Sequence, residues 1–317
     1  MERRDFLHTL GGILGGLTAC STDAASRPNV KWALDAGTWG HLAPVPFTEI
    51  LDVVKDTGFT GIRLNAFPGA LQKYNLTIQD LERELSKREL RLVTVSFGGP
   101  ADDPTKHDAI EKAAREAMKF LQDFGASDLV VFAPRKTNKI LVAEQLRVAC
   151  EFYNHLGDVA REYGFRAGLH NHLDQLVETQ DEIELFLKLT DPKRFHFAPD
   201  TAHAHLAGCN VLEVFQRHAS RITFIDYKDA RNTPAREDIR LENGRVLQAG
   251  SASATFFNSI YDLGEGEIDF RPLHRVLKKV RFRGWICPDL DYVRISPRDS
   301  FGRCMRYIRE KLEPIYA

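Results

Sequence analysis

The sequence predicts a single-domain α/β fold in which eight parallel strands and eight helices alternate and close into a (β/α)8 TIM barrel. Two observations support this prediction. Short apolar runs alternate with longer amphipathic segments from Lys31 onward, and no linker rich in Pro, Gly or Ser divides the chain. An open, doubly wound sheet is the alternative, but the first strand-to-helix turn lacks a G-x-G-x-x-G phosphate loop.

The predicted strands are short apolar runs, and the predicted helices carry apolar residues at three-to-four spacing, as in Ile50, Leu51, Val53 and Val54. We predict strands at 32–36, 61–65, 92–97, 129–133, 166–170, 195–200, 222–227 and 285–289. We predict helices at 47–57, 78–87, 107–124, 143–163, 180–189, 211–218, 271–280 and 297–312. The count of eight each favours a closed barrel.

Residues 230–269 interrupt this alternation, because they are polar, contain glycine and show no clear period. A loop of roughly forty residues is uncommon inside a compact domain and is usually functional or disordered. It would leave the seventh strand at the end of the barrel where active sites are built. We therefore predict a lid over the barrel mouth, with a plain surface loop as the alternative.

The N-terminus has the features of an export signal, with charged residues first, then a short apolar stretch and small residues at the end. Arg3-Arg4-x-Phe6-Leu7 resembles a twin-arginine signal, and Leu-Thr-Ala-Cys20 resembles the lipobox of bacterial lipoproteins. We expect 1–20 to be this signal, 21–30 a tether, and 31–317 the barrel. The protein is then exported and lipid-anchored through Cys20 on the periplasmic side. An ordinary signal peptide with a chance cysteine is the alternative.

Charge and cysteine content exclude several classes of protein. The formal net charge is −1, the sequence pI is near 6.8, and no long basic run is present, so nothing favours a nucleic-acid partner. Apart from Cys20, the four cysteines are scattered without CxxC pairs. This spacing indicates neither a zinc knuckle nor a disulfide framework, although a single disulfide remains open.

Polar residues stand where five of the predicted strands end, namely Arg63, His170, Asp200, Asp226 and Asp289. Barrel enzymes build their sites from these ends, so we expect the side chains to converge. Three carboxylates beside an imidazole repel one another unless a cation holds them. Such oxygen-rich ligands suit Mn²⁺ or Mg²⁺. The alternative is a set of separate helix caps and salt bridges, with Asp200 as an N-cap.

Several motifs, in order along the chain, are similar to those of one family. They are Gly58-Phe59-x-Gly61-Ile62, His170-Asn171-His172, Asp200-Thr201-x-His203, Lys228-Asp229, Leu263-Gly-Glu-Gly266 and Gly284-Trp285 followed by Asp289. Together they resemble the sugar phosphate isomerase/epimerase family of xylose-isomerase-like barrels, which includes inosose dehydratases and ketose epimerases. The resemblance extends over about 31–312.

The resemblance implies a divalent ion held by residues at the ends of the fifth to eighth strands. Here these would be His170, Asp200, Asp226 and Asp289. The sequence departs from the family pattern at three of them. His170 stands where Glu is usual, Asp226 replaces a histidine, and Asp289 replaces a glutamate. Arg63 also stands where the second strand often ends in Glu.

The resemblance also implies an acid/base group and a substrate-binding group. We assign the catalytic group to His203, Lys228, Glu178 and His172, and substrate binding to Trp39, Arg63 and Asn171. Alternatives remain for three of them. Trp39 could serve core packing, Glu178 could cap a helix, and Lys228 could simply pair with Asp226 or Asp229.

We therefore expect a divalent-metal-dependent isomerase, epimerase or lyase that acts on a sugar or keto-sugar by removing a proton next to a carbonyl. The alternative is a lipid-anchored barrel that binds carbohydrate without turnover. A nuclease related to endonuclease IV is disfavoured, because it requires more histidines and a basic groove. The expected partner is a small carbohydrate, and the only expected membrane contact is the N-terminal lipid.

Overall fold

The structure is a computed structural model that describes residues 30–137 and 142–316. Its strands are β1 Val30–Asp35, β2 Gly61–Leu64, β3 Arg91–Gly98, β4 Asp128–Phe132, β5 Arg166–His170, β6 His196–Phe197, β7 Phe224–Tyr227, β8 Asp229–Ala230, β9 Ile239–Arg240, β10 Val246–Leu247, β11 Ile260–Tyr261 and β12 Gly284–Pro288. Its α-helices are α1 Phe47–Thr57, α2 Gly69–Lys73, α3 Ile78–Lys87, α4 His107–Asp123, α5 Val142–Glu162, α6 Gln180–Leu189, α7 Thr201–Leu206, α8 Val211–His218, α9 Ala252–Ser259, α10 Phe270–Lys279 and α11 Pro297–Tyr307.

Eight of these strands form one parallel sheet in the order β6-β5-β4-β3-β2-β1-β12-β7. Isolated parallel bridges between Phe197 and Ile222 and between Asp200 and Asp226 join the two edge strands, so the sheet nearly closes on itself. The predicted single-domain (β/α)8 barrel is confirmed. The predicted elements match the observed ones closely, except that β6 and α11 are shorter than predicted and that the short helices α2, α7 and α9 and the two-residue strands β8 to β11 were not predicted.

The barrel interior is built in layers, because alternate residues of each strand face inward. A separate apolar cluster fills the lower layer with one side chain from each of five strands and one from the residue that follows β6, namely Ala33, Val93, Val130, Phe224, Cys287 and Ala198. Gly61 belongs to the same level, where a Cβ would lie 2.5 Å from Val93 and 2.9 Å from Trp285. The lower layer is therefore too crowded for a larger residue at that position.

Two residues further along the strands, the interior becomes polar. The register places Asp35 beside Arg63 across β1 and β2, and Phe132 beside His170 across β4 and β5. Asp200 and Asp226 are bridge partners where β6 meets β7. Strand register thus brings residues that are far apart in sequence into one polar layer at the carboxyl end of the barrel.

The helices pack around the sheet and form the main apolar core with its outward-facing residues. Their ends are fixed by local chemistry that is visible in the sequence. Thr77 and Thr179 each begin a helix with a complete capping box, and Gly58 ends α1 with φ 92°. These caps explain why α1 ends, and why α3 and α6 begin, where the sequence predicts.

The segment 230–269 is folded, so the expectation of a loop without regular structure was wrong. Strands β8 and β11 pair antiparallel, as do β9 and β10, and α9 lies between the two pairs in the chain. The segment has its own small apolar cluster, formed by Ala235, Leu241, Leu247, Ala254 and Phe257. The strands of two residues each were too short to be detected by periodicity.

The predicted signal sequence with Cys20, and residues 21–29 of the predicted tether, lie outside the described residues. Among the residues that are described, no helix is both long enough and apolar enough to cross a membrane.

Candidate active site

A cavity of about 360 Å³, here called the inner cavity, opens above the polar layer at the carboxyl end of the barrel. Its walls are formed by Arg63, Asn65, Ala66, Ser96, Phe97, Gly98, Phe132, His170, His172, His203, Lys228, Asp289 and Asp291. The sequence-predicted residues Arg63, His170, His172, His203, Lys228 and Asp289 therefore line one cavity. Asp200 and Asp226 are fully buried beneath it.

Arg63 is a buried cation that joins two strands of the barrel. Its Nε lies 2.7 Å from Oδ2 of Asp35, and its Nη1 donates to Oδ2 of Asp226 at 2.5 Å. The side chain is only 2% exposed, and both carboxylates are inaccessible to solvent. Arg63 thus pairs with two acids of the polar layer. These pairs use much of the hydrogen-bonding capacity of the guanidinium that we predicted to bind substrate.

Lys228 is a second buried cation and contacts three carboxylates. Its Nζ lies 3.1 Å from Asp200, 2.8 Å from Asp289 and 2.5 Å from Asp291. The expected alternative partners Asp226 and Asp229 were wrong, because Lys228 reaches across the mouth to the end of β12. From the sequence we expected a cluster of acids that only a bound cation would neutralise. Arg63 and Lys228 together neutralise part of that cluster.

Burial controls the ionisation of this cluster. It raises the pKa of Asp35 to about 7 and the pKa of Asp200 and of Asp226 to about 6, although the neighbouring cations oppose the shift. Burial alone would lower the pKa of Lys228, but its three carboxylates hold that pKa well above the usual range. Lys228 therefore remains an ammonium, while the acids retain a tendency to bind protons or another cation.

His170, His172 and His203 lie side by side at the mouth. The rings of His172 and His203 are 3.7 Å apart between centroids, and Phe256 of α9 stacks on His203 at 4.9 Å with an interplanar angle of 8°. Burial lowers the pKa of all three imidazoles, so they are neutral near pH 7. Neutral imidazoles can act as proton acceptors or as metal ligands.

Asp200 combines the two roles that the sequence left open. Its Oδ1 accepts a hydrogen bond of 2.9 Å from the backbone N–H of His203 and so caps α7, while its Oδ2 faces Lys228. The side chain of Asn171 both donates to the carbonyl of Asp200 and accepts from its N–H. Asn171 therefore positions Asp200 and lies outside the walls of the inner cavity, contrary to its predicted contact with substrate.

Two other predicted residues lie outside the inner cavity. Trp39 is 5% exposed and stacks on Phe301 at 5.9 Å, so it serves the helix-side core. Glu178 forms an ion pair of 2.6 Å with Lys136 and precedes the Thr179 cap of α6. These positions support the packing alternative for Trp39 and the structural alternative for Glu178.

The Lys-Asp and Leu-Gly-x-Gly motifs form one structural unit. The carboxylate of Asp229 accepts backbone N–H groups from Gly264, Gly266 and Ile268 at 2.9 to 3.2 Å. A Cβ on Gly266 would lie 2.0 Å from Asp229 Oδ1, which explains the glycine. Asp229 thereby fixes the end of the folded segment beside Lys228. Its role is therefore structural.

Three residues of the site were not assigned a role from the sequence. Asp35 ends β1 and holds Arg63, Asp291 holds Lys228, and Phe256 covers His203 from the folded segment. Asp35 follows the same strand-end pattern as the residues that were found, so that pattern could have identified it. The position of Phe256 has no counterpart in the sequence pattern, because it depends on the fold of the segment 230–269.

The donor atoms of the polar layer suit a divalent ion. Atoms of Asp200, Asp226 and Asp289 lie within 4.8 Å of one another, and the same holds for atoms of His170, Asp200 and His203. Within the described residues, the buried Oδ1 of Asp226 and Nδ1 of His170 have no hydrogen-bond partner. The Nδ1 is 2.9 Å from Oδ2 of Asp226, but it is not aligned for a hydrogen bond. Unpaired buried donors of this kind fit a metal site.

Comparison with known proteins finds relatives that match most of the barrel. The profile of the family described as xylose isomerase-like TIM barrel matches residues 51–311. The inosose dehydratase of Bacillus licheniformis is 30% identical over 65% of this chain and 70% of its own length. The inosose dehydratase of Clostridium perfringens is 27% identical over 85% of this chain and 96% of its own length.

Two solved structures share the fold. The IOLI protein, solved with a bound zinc atom, has a TM-score of 0.70 at 15% identity over 90% of this chain and 99% of that chain. An L-ribulose 3-epimerase has a TM-score of 0.66 at 14% identity over 90% of this chain and 95% of that chain. From the extent of the profile match and these relatives, the chain belongs to the xylose isomerase-like TIM barrel family.

Proposed function

We propose that the protein is a sugar isomerase, epimerase or lyase that removes a proton next to the carbonyl of a sugar or keto-sugar, assisted by a divalent ion. The observation that carries the proposal is that a neutral imidazole and a charged ammonium, His172 and Lys228, face the same inner cavity above buried acids. Relatives named inosose dehydratase and L-ribulose 3-epimerase support this reaction class.

His172 is the proposed general base. Its Nδ1 lies 2.7 Å from the backbone carbonyl of Leu173, and that contact requires the proton to be on Nδ1. Its Nε2 therefore carries a free lone pair, and the ring lines the inner cavity. Because burial lowers the pKa of His172, the lone pair is available at neutral pH.

Lys228 and His203 are proposed to act on the oxygen of the substrate. The ammonium of Lys228 is fixed by three carboxylates and can stabilise negative charge that develops on a carbonyl oxygen. The Nε2 of His203 is 3.5 Å from that ammonium, so the imidazole can return a proton to the same region. Phe256 excludes water from one face of His203.

The ion would be held by His170, Asp200, Asp226 and Asp289, and we propose Mn²⁺ or Mg²⁺ because carboxylate oxygens dominate this set. When bound, such an ion supplies Lewis-acid polarisation of substrate oxygens. Arg63 keeps Asp226 oriented, and Asn171 fixes the backbone of Asp200. Both residues therefore position ligands and make no chemical step themselves.

A carbohydrate-binding barrel without turnover is the second candidate. One observation favours it, because Arg63 and Lys228 already pair with all three of the carboxylates that would hold the ion. If these internal cations fully replace an ion, the inner cavity binds a sugar but lacks the Lewis acid. Metal content after gentle purification distinguishes the two candidates.

The test compares wild type with Asp200→Asn in Mn²⁺ and screens keto-sugars and oxidised glycosides for product. We expect Asp200→Asn to lower ion affinity and activity together while the circular dichroism spectrum is unchanged. Asp128→Asn is the matched control, because Asp128 is also a buried acid but pairs with Arg166 at the start of its strand. A wild type that binds no ion and converts no sugar would refute the proposal.

We further propose that the barrel functions outside the cytoplasm, tethered by a lipid on Cys20. Support comes from the twin arginines and the lipobox in the printed sequence. The residues that line the inner cavity contain no glycine-rich phosphate-binding motif, which favours a free sugar or glycoside over a sugar phosphate as substrate. Such a substrate agrees with a periplasmic location.

A further inference from the structure

A second cavity of about 460 Å³, here called the outer cavity, lies next to the inner one. Its walls include His41, Arg240, Glu242, Asp291, Tyr292 and Arg294. They come from the loop after β1, from the β9–β10 hairpin of the folded segment, and from the segment after β12. All three belong to the mouth of the barrel, where substrates of such folds bind.

Asp291 lines both cavities. On the inner side its carboxylate accepts a hydrogen bond of 2.5 Å from Nζ of Lys228, so Asp291 contacts a residue that we propose to act on the substrate. A single side chain therefore separates the ammonium of Lys228 from the outer cavity. A molecule that reacts at Lys228 and carries a substituent in this direction would extend into the outer cavity.

The outer cavity is enclosed by specific contacts between the β1 loop and the folded segment. The Nδ2 of Asn243 donates to the carbonyl of Gly40 at 3.0 Å, and the N–H of Ala43 donates to Glu242 at 3.2 Å. The ring of His41 meets Phe257 edge-on at 4.8 Å. Phe257 follows Phe256, which stacks on His203, so the same helix contacts one wall residue of each cavity.

The walls offer a mixed surface with little net charge. Glu242 and Asp291 balance Arg240 and Arg294, and Tyr292 and Leu42 add aromatic and aliphatic faces. The buried Nδ1 of His41 has no hydrogen-bond partner among the residues described. Hydroxyl groups and uncharged rings match a surface whose charges are balanced in this way.

We propose that the outer cavity is a binding site for the substituent of a glycoside that is oxidised to a ketone at a ring carbon, whose reacting ring occupies the inner cavity. An unoxidised glycoside is an acetal without a carbonyl, so only the keto form fits the proposed removal of a proton. This inference rests on the proposed function and narrows its substrate class. It follows from the size of the outer cavity, which exceeds that of the inner one, from the shared Asp291, and from the contacts of α9 with His41 and His203 in the two walls. The substituent is an uncharged ring, either aromatic or a second sugar.

The test is calorimetric binding in Mn²⁺ of free glucose, galactose, mannose and xylose, each beside its phenyl β-glycoside. For a sugar that binds, we expect the phenyl glycoside to bind about tenfold more tightly, because an aromatic ring leaves water. Leu42→Trp, which fills the outer cavity from its wall, should abolish this gain and leave the free sugar unchanged. Arg240→Ala removes a wall side chain without adding bulk, and it should reduce the gain in glycoside affinity severalfold. Arg236→Ala is the control, because Arg236 lies outside the outer cavity, and it should leave the gain unchanged.

The possible outcomes separate the inference from the function on which it rests. Equal binding of free sugar and glycoside, or a gain that survives both Leu42→Trp and Arg240→Ala, would overturn the outer site and leave the proposed function standing. Failure of all free sugars and glycosides to bind would count against the proposed function itself. A gain lost only in the two wall variants would establish the outer site.

Discussion

Replacing Lys228 by Met should increase the affinity of the protein for Mn²⁺. In the structure its ammonium lies 3.1 Å from Asp200 and 2.8 Å from Asp289, and these two carboxylates are proposed to hold the ion. The lysine and the ion therefore compete for the same oxygens. Met removes the charge but keeps a long apolar side chain, so the volume of the buried site changes little.

The magnitude follows from the geometry. Two unit charges about 4 Å apart interact by about 4 kcal/mol at an effective dielectric constant of about 20, and a divalent ion doubles this repulsion. Lys228 can retreat toward Asp291, which lies 2.5 Å from it and is not a proposed ligand. We therefore expect a remaining penalty of about 1–3 kcal/mol, or a gain in ion affinity of roughly 5- to 150-fold in the variant.

The assay is isothermal titration calorimetry of metal-free protein with MnCl₂, with circular dichroism to verify the fold. Lys136→Met is the matched control, because Lys136 pairs with Glu178 and Glu182 outside the inner cavity. It should leave ion affinity unchanged. Ion affinity that is unaltered or lower in a folded Lys228→Met protein would refute the competition and the proposed ligand set. Activity should fall in the same variant, because the ammonium is also proposed to stabilise the substrate oxygen.

Three further predictions concern stability, the folded segment and export. Without an ion, the contribution of the buried acids to stability against urea should fall as pH rises from about 4 to about 7, because the pKa of Asp200 and Asp226 is about 6 and that of Asp35 about 7 in the folded protein, against an ordinary 3.8. The buried histidines, whose pKa is lowered, act in the opposite direction, so the contribution is measured in EDTA as the difference in stability between wild type and Asp200→Asn at each pH. A difference that does not change with pH would contradict this reasoning. Limited proteolysis of residues 230–269 should be slowed by substrate, because Phe256 of α9 stacks on His203 in the wall of the inner cavity, and equal cleavage rates would exclude a lid. Cys20→Ala should release the protein from the membrane fraction, whereas unchanged attachment would exclude the lipid anchor.

The barrel could be predicted from the sequence because each strand and each long helix has a local signal. Capping residues such as Thr77 and Thr179 define the starts of helices, and apolar runs define strands. The polar layer was also predictable in outline, since parallel strands end at one mouth. Arg63, His170 and Asp289 line the inner cavity for that reason.

The partners within the polar layer could not be predicted, because they depend on distances across the closed barrel. Arg63 lies near the end of β2 and still reaches Asp226 on β7, which is 163 residues away in sequence. Trp39 illustrates the same difficulty, since only the position of α11 places Phe301 against its ring. The cover over His203 depends on α9, whose neighbouring strands are two residues long.

The most direct test of the central claim is proton exchange at the carbon next to the carbonyl of a bound keto-sugar. Protein loaded with Mn²⁺ is incubated with keto-sugars in deuterated water, and deuterium incorporation is followed by NMR. We predict incorporation with wild type that is lost in EDTA, in Asp200→Asn and in His172→Gln, while Asp128→Asn behaves as wild type. Bound sugar that shows no exchange in the presence of Mn²⁺ would contradict the claim and leave a barrel that binds carbohydrate without turnover.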